Sequence, residues 1–149
     1  MVEKLKHLLD SIGLTQFSDA LLKLSLPAVR LTHLCSEPQQ IPVGASKVGG
    51  RPDVPAGFEW PCWRGSPLSF LCQVNLSDIG DLPAAADLPK DGLLSFFYDA
   101  QQRAWGLEPA DAGAWLVEWF PDDPASLRPC ALPSSCRELG LFEPCLLRF

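Results

Sequence analysis

Proline divides this chain more sharply than any other residue. None occurs in residues 1–26, and all 15 fall at position 27 or beyond. Inside a helix a proline removes a backbone donor and clashes with the preceding turn; inside a sheet it removes a ladder bond. Longer helix is therefore expected in residues 1–26, and residues 27–149 read as short strands and turns, with turn and short helix at 77–90. Helices first and strands afterwards, with no alternating strand–helix rhythm, predict an α+β fold: an N-terminal helical hairpin followed by a mainly antiparallel sheet.

The hairpin is legible in the apolar spacing. Val2, Leu5, Leu8, Leu9 and Ile12 share one helical face, with Glu3, Lys4, Lys6 and Asp10 opposite, and Gly13 stops the helix. Thr15 is expected to cap a second short helix carrying Phe17, Ala20, Leu21 and Leu24, which ends before Pro27. The single apolar stripe predicts a lid packed on the remaining domain. Beyond it, residues 28–34, 68–76, 92–98 and 115–120 read as strands, with 68–76 central and 146–149 a last edge strand. Residues 47–55 are too broken by glycine and proline for regular structure, and 58–63 read as an aromatic loop.

Charge and cysteine usage narrow the function classes. Twelve Lys and Arg against 18 Asp and Glu leave a net charge of −6, and no basic stripe offsets it, so no nucleic acid partner is expected. No apolar run approaches the ~20 residues that span a bilayer, and the charged first helix is not a signal peptide, so the expectation is a cytoplasmic protein with no membrane partner. Cys35, Cys62, Cys72, Cys130, Cys136 and Cys145 include no Cys-x-x-Cys spacing, so they read as reduced thiols, with Cys62 and Cys72 as small core residues, and neither metal nor cofactor is expected. Catalysis finds little footing: His7 lies on a polar helix face, and a His33–Cys35 pair is a weak dyad. Residues 44–51 approach a phosphate-binding loop, but Gly50 and Arg51 stand where Lys and Ser or Thr are needed, and Pro52 and Pro55 forbid the following helix.

The middle of the chain is more specific. Lys47-Val48-Gly49-Gly50-Arg51-Pro52-Asp53-Val54-Pro55, then Phe58-Glu59-Trp60-Pro61, then Pro67-Leu68-Ser69-Phe70-Leu71-Cys72-Gln73-Val74-Asn75-Leu76, are followed by residues 88–98 and by Trp105-Gly106. In order and spacing these blocks resemble the YwqG-like family of uncharacterised bacterial proteins over residues 1–120. Members of that family are longer and built of two related halves. The resemblance implies that this chain corresponds to the N-terminal half of a two-repeat fold, an incomplete domain that a partner or a second copy would complete. The cysteine- and proline-rich tail departs from the pattern, and the family supplies no catalytic residues to carry over.

One candidate site remains. Gly49 and Gly50 permit positive φ and close backbone approach, and Lys47 and Arg51 flank them with cationic donors. Gln73 and Asn75, two apart on the best strand, share a face and must be hydrogen-bonded if buried. The set Lys47, Gly49, Gly50, Arg51, Gln73 and Asn75 reads either as a structural turn clamped to the central strand or as a site for a small anion or carboxylate. The tryptophans at 60, 63, 105, 115 and 119 read as core and edge anchors, and the acidic residues at 108, 111, 118, 122 and 123 as a solvated face. The expected function is a non-enzymatic protein-protein interaction module, with small-ligand binding at the glycine turn as the alternative.

Overall fold

Val2–Ser11 forms α1, and Gly13, with φ of 76°, turns the chain out of it. A 3-10 turn at Thr15–Phe17 leads into α2, Ser18–Leu24, before Pro27. These elements come from a computed structural model that describes residues 2–34, 41–134 and 142–149. Two sequence expectations fail here. Thr15 lies within the 3-10 turn, and neither helical segment has a side-chain cap at its start. The hairpin is also not a buried lid: Leu9 is the one buried residue of α1, α2 has none, and Leu8, Ile12, Phe17 and Leu24 are exposed. No described helix is long and apolar enough to cross a membrane.

Ten strands follow. They are β1 (Thr32–Leu34), β2 (Lys47–Val48), β3 (Asp53–Val54), β4 (Cys62–Trp63), β5 (Ser66–Pro67), β6 (Ser69–Asn75), β7 (Leu93–Tyr98), β8 (Trp115–Phe120), β9 (Arg128–Pro129) and β10 (Cys145–Arg148). Six make one antiparallel sheet in the order β1-β10-β2-β6-β7-β8; β3 pairs with β9 and β4 with β5 in two small ribbons. The fold is therefore α+β with a mainly antiparallel sheet. Residues 47–55 were expected to be irregular, yet they contribute β2 and β3: the glycines and prolines fall between two-residue strands and leave each pairing intact. The C-terminal strand was expected at an edge and instead lies inside the sheet, between β1 and β2.

Glycine makes that insertion possible. Gly49 and Gly50 have φ of 66° and 70°. A Cβ on Gly49 would fall 2.5 Å from the carbonyl oxygens of Phe142 and Glu143, so only glycine lets the chain entering β10 come this close. The Gly50 amide donates to the Phe142 carbonyl at 2.9 Å, and the Gly49 amide to Leu71 at 2.8 Å, where the β6–β7 register shifts between Phe70 and Cys72.

Strand pleating sorts the side chains into two faces. On the inner face, Phe70 opposes Phe97, Gln73 opposes Ser95 and Asn75 opposes Leu93. The small ribbons and their loops cover this face. Phe58 stacks on Phe97 and meets Trp60 and Phe120 edge-on, within buried clusters that include Trp63, Leu68, Val54 and Leu127. The outer face carries Val48, Cys72, Phe96 and Val117 in one cross-strand row, and Val74, Leu94 and Trp119 in the next. Ile79, Leu82, Ala85 and Val29 cover its middle. Nothing among the described residues covers β8 in the same way.

Candidate functional site

The register sets Lys47, Gln73, Ser95 and Glu118 side by side across four strands on the inner face. Lys47, Gln73 and Ser95 are buried, as is Asp53, which β3 swings over them. Asp53 is the hub. Its Oδ2 accepts from Lys47 Nζ at 2.8 Å, from Gln73 Nε2 at 2.6 Å and from the Gly44 amide at 3.0 Å, while its own amide donates to Gln73 Oε1 at 2.9 Å. Gln73 Nε2 also reaches the Ala45 carbonyl at 2.9 Å. Asp53 Oδ1 and Ser95 Oγ are buried with no hydrogen-bond partner among the described residues. A charge in this setting is tolerated only because it is paired and hydrogen-bonded.

Asn75 extends the same clamp. Its Nδ2 donates to Gly44 at 3.0 Å, and its Oδ1 accepts from the Ser77 amide at 3.1 Å. Ser46 Oγ accepts from the Asn75 amide at 2.8 Å and donates to Asp78 at 2.6 Å. The sequence-predicted residues thus divide. Lys47, Gln73 and Asn75 pin residues 44–46 and Asp53 to the central strand, Gly49 and Gly50 admit the C-terminal segment, and Arg51 alone is exposed. Gln73 and Asn75 therefore clamp the loop before the glycine turn rather than the turn itself. Arg51 makes no ion pair or side-chain hydrogen bond among the described residues, and it lines a cleft of about 430 Å³ with Lys47, Gly50, Phe142 and Glu143.

Other candidates also separate. Cys62 is exposed and Cys72 half-buried on the outer face, so neither is the core residue its apolar neighbours suggested; burial pushes the Cys72 thiol up. His7 and His33 are both exposed, and Cys35, Cys136 and the proposed His33–Cys35 pair lie outside the described residues. Among the described residues no group of three or more His, Cys, Asp or Glu is placed to hold a metal ion. Of the acidic residues read as a solvated face, Asp111 and Asp123 bind backbone amides. Asp99, not singled out in the sequence, accepts a two-pronged hydrogen bond from the Arg103 guanidinium at 3.0 and 2.9 Å, which holds its carboxyl below the usual range.

The tryptophans part company too. Trp63 is buried, with Nε1 donating to Ala112 at 3.0 Å and the Arg64 guanidinium 4.3 Å above its ring. Trp60 is half-buried and donates to Leu68 at 2.8 Å. Trp115, Val117 and Trp119 instead project from the outer face of β8, and Trp105 and Leu107 are still more exposed. From the sequence, aromatic residues are expected at an exposed sheet edge without the strand being identified, because 115–120 is apolar at nearly every position and shows no clear alternation. Asp53 was missed, although an acid six residues after Lys47, across a glycine turn, carried the signal of a pair.

The model of one protein family, described as a domain of unknown function (DUF1963), matches residues 46–144. No curated protein matches the chain. The matched span holds β2 to β9 with Lys47, Asp53, Gln73 and Asn75, and it runs further into the tail than the sequence blocks suggested, while leaving out the hairpin, β1, β10 and the clamp's backbone partners at Gly44 and Ala45. On that match the chain belongs to the DUF1963 domain family.

Proposed function

We propose that this chain is a cytoplasmic protein-protein interaction module that docks partners on the β8 edge and outer face of its sheet, and that it is non-enzymatic, with no role for nucleic acid or membrane. One observation carries the reading: the large apolar side chains of an edge strand face solvent, while the polar side chains of the central strand are sealed inside. Contact surfaces are built from such aromatic patches, and an open strand edge offers backbone groups to pair with. The reading also retains the YwqG-like likeness and its two-repeat plan, in which this sheet is one half of a larger one and β8 is where cover is due.

A photo-crosslinking residue placed at Val117 tests this in cells of the source organism. The expected result is a protein crosslink from position 117 and none from a matched control at the inner-face Ser95. Equal labelling at both positions, or none at 117, overturns the reading.

A second reading keeps the cleft at Arg51 as a site for a small carboxylate or other anion. An exposed guanidinium with no partner among the described residues, above apolar walls, supports it. Arg51→Ala is then expected to leave the melting temperature alone and to remove any rise produced by an added aromatic carboxylate such as benzoate. No rise in the unaltered protein rejects the site for this class of ligand.

A further inference from the structure

β8 closes one side of the six-stranded sheet, and of the usual guards of a sheet edge it carries one, the inner-face charge of Glu118. It is six residues long, contains neither proline nor lysine, and its ladder with β7 runs without a bulge. Trp115, Val117 and Trp119 are 44%, 52% and 45% exposed, and they are spaced evenly about Val117. Trp105 and Leu107, 77% and 87% exposed, flank Gly106, where a Cβ would stand 3.5 Å from the Trp115 ring. At roughly 200 Å² for a large side chain, these five leave on the order of 600 Å² of apolar surface in water. That is the upper end of what a monomer leaves open.

We infer that a second copy of this chain covers the edge, β8 pairing antiparallel with its counterpart about a two-fold axis at Val117, so that two sheets join into one. The inference rests on the docking role proposed above and adds the identity of the occupant. The residue pattern is self-complementary in this register and in neither neighbouring one. Centred on Val117, Trp115 lies opposite the partner's Trp119, and Glu118 opposite the partner's Leu116. Centred on Glu118, the two like charges would face each other, which disfavours the pairing. Centred on Leu116, each Trp119 would meet Gly113 and lose its aromatic neighbour. An isologous contact of this kind closes on itself and stops at two chains.

Light scattering on the purified chain, from low micromolar to ~100 µM, reads the outcome by mass action. The expected mass is that of two chains, falling to one in Val117→Lys with the circular dichroism spectrum unchanged. Should that variant not fold, oxidised Val117→Cys gives an independent readout: a peptide linked 117 to 117 by mass spectrometry, absent from Glu118→Cys. A single-chain mass throughout, or a dimer that forms no 117–117 link, overturns the inference. Hydrogen exchange then separates it from the reading beneath it. A monomer whose β8 amides exchange fast has an open edge meant for another occupant, and the docking role stands; a monomer whose β8 amides are protected loses both.

Discussion

Lys47, Gln73 and Ser95 lie on one face of the sheet, sealed from water; Trp115, Val117 and Trp119 lie on the other, half in it. By residue type alone the two groups would be assigned the other way round. The inversion has a physical source on each side. Lys47 and Gln73 are satisfied through Asp53, which leaves Ser95 Oγ and Asp53 Oδ1 as the unpaired atoms of this group among the described residues. The outer aromatics lie on the last strand of the sheet, beyond the reach of the 76–85 segment that covers its middle. Polarity inside therefore serves the fold, and apolarity outside is what remains available for function.

Removing the hub of the clamp should have the largest effect. Asp53→Ala strands a buried ammonium and deprives Gly44 of its acceptor and Gln73 of one of its two, so a loss of about 3–5 kcal/mol is expected in urea unfolding. Lys47→Met combined with Asp53→Asn removes the ion pair but leaves an acceptor for both donors, and should cost less than half as much. Were the double variant the worse of the two, the ion pair itself would be stabilising and the inner face would not be a mutual-satisfaction network.

The next test concerns the strand that the clamp helps to seat. Gly49→Ala forces a positive φ on a residue with a Cβ and drives that Cβ into the backbone at 142–143, for an expected loss of about 2–3 kcal/mol. Gly57 is the control: its φ is 84° with nothing within 4 Å of a new Cβ, so Gly57→Ala should cost only the conformational ~1 kcal/mol. Equal costs would mean that β10 does not depend on the close approach at Gly49.

These two effects also show how far the sequence could be read. Periodicity placed α1, β6, β7 and β8 nearly to the residue, because each is a local pattern with clear stops. The central position of β6 and the shared face of Gln73 and Asn75 followed from the same alternation. What could not be read was long-range. Two-residue strands such as β2 and β3 have no period, and the insertion of β10 between β1 and β2 depends on pairing across more than 90 residues. The candidate site was half legible for the same reason: Lys47, Gln73 and Asn75 were found as a set, but Asp53, which joins them, comes close only when β3 folds back. An aromatic sheet edge was expected, but its place on β8 was not legible, since an edge strand with one charge looks like a core strand until its neighbours are counted.

Between the faces, at the end of β7, the Asp99–Arg103 pair makes a smaller prediction with a definite sign. The Arg103 hydrogen bonds lower the Asp99 pKa in the folded chain beneath its unfolded value near 3.9. The stabilisation is therefore complete above that unfolded value and is lost as pH falls through the folded one. Asp99→Asn should lower the melting temperature by roughly 2–4 °C at neutral pH, with the gap to the unaltered chain constant from about pH 5 to 8 and closing in more acid solution. A gap that persists at low pH would assign the effect to the backbone bond at Arg103 rather than to the charge.

The smallest expected effect separates the two regions most cleanly, because it uses one residue type on both. Trp63 is buried, hydrogen-bonded and stacked under a guanidinium, whereas Trp105 is open to solvent. Trp105→Ser should change the unfolding free energy by no more than about 0.5 kcal/mol, the range of surface substitutions that touch no special feature. The backbone amide of Trp105 still donates to Asp111 in the variant, so the loop keeps its turn. A loss above about 1 kcal/mol would mean that Trp105 packs against the fold after all. The outer patch would then be an extension of the core, the contrast between the faces would fail, and the case for a surface awaiting a second chain would lose much of its area.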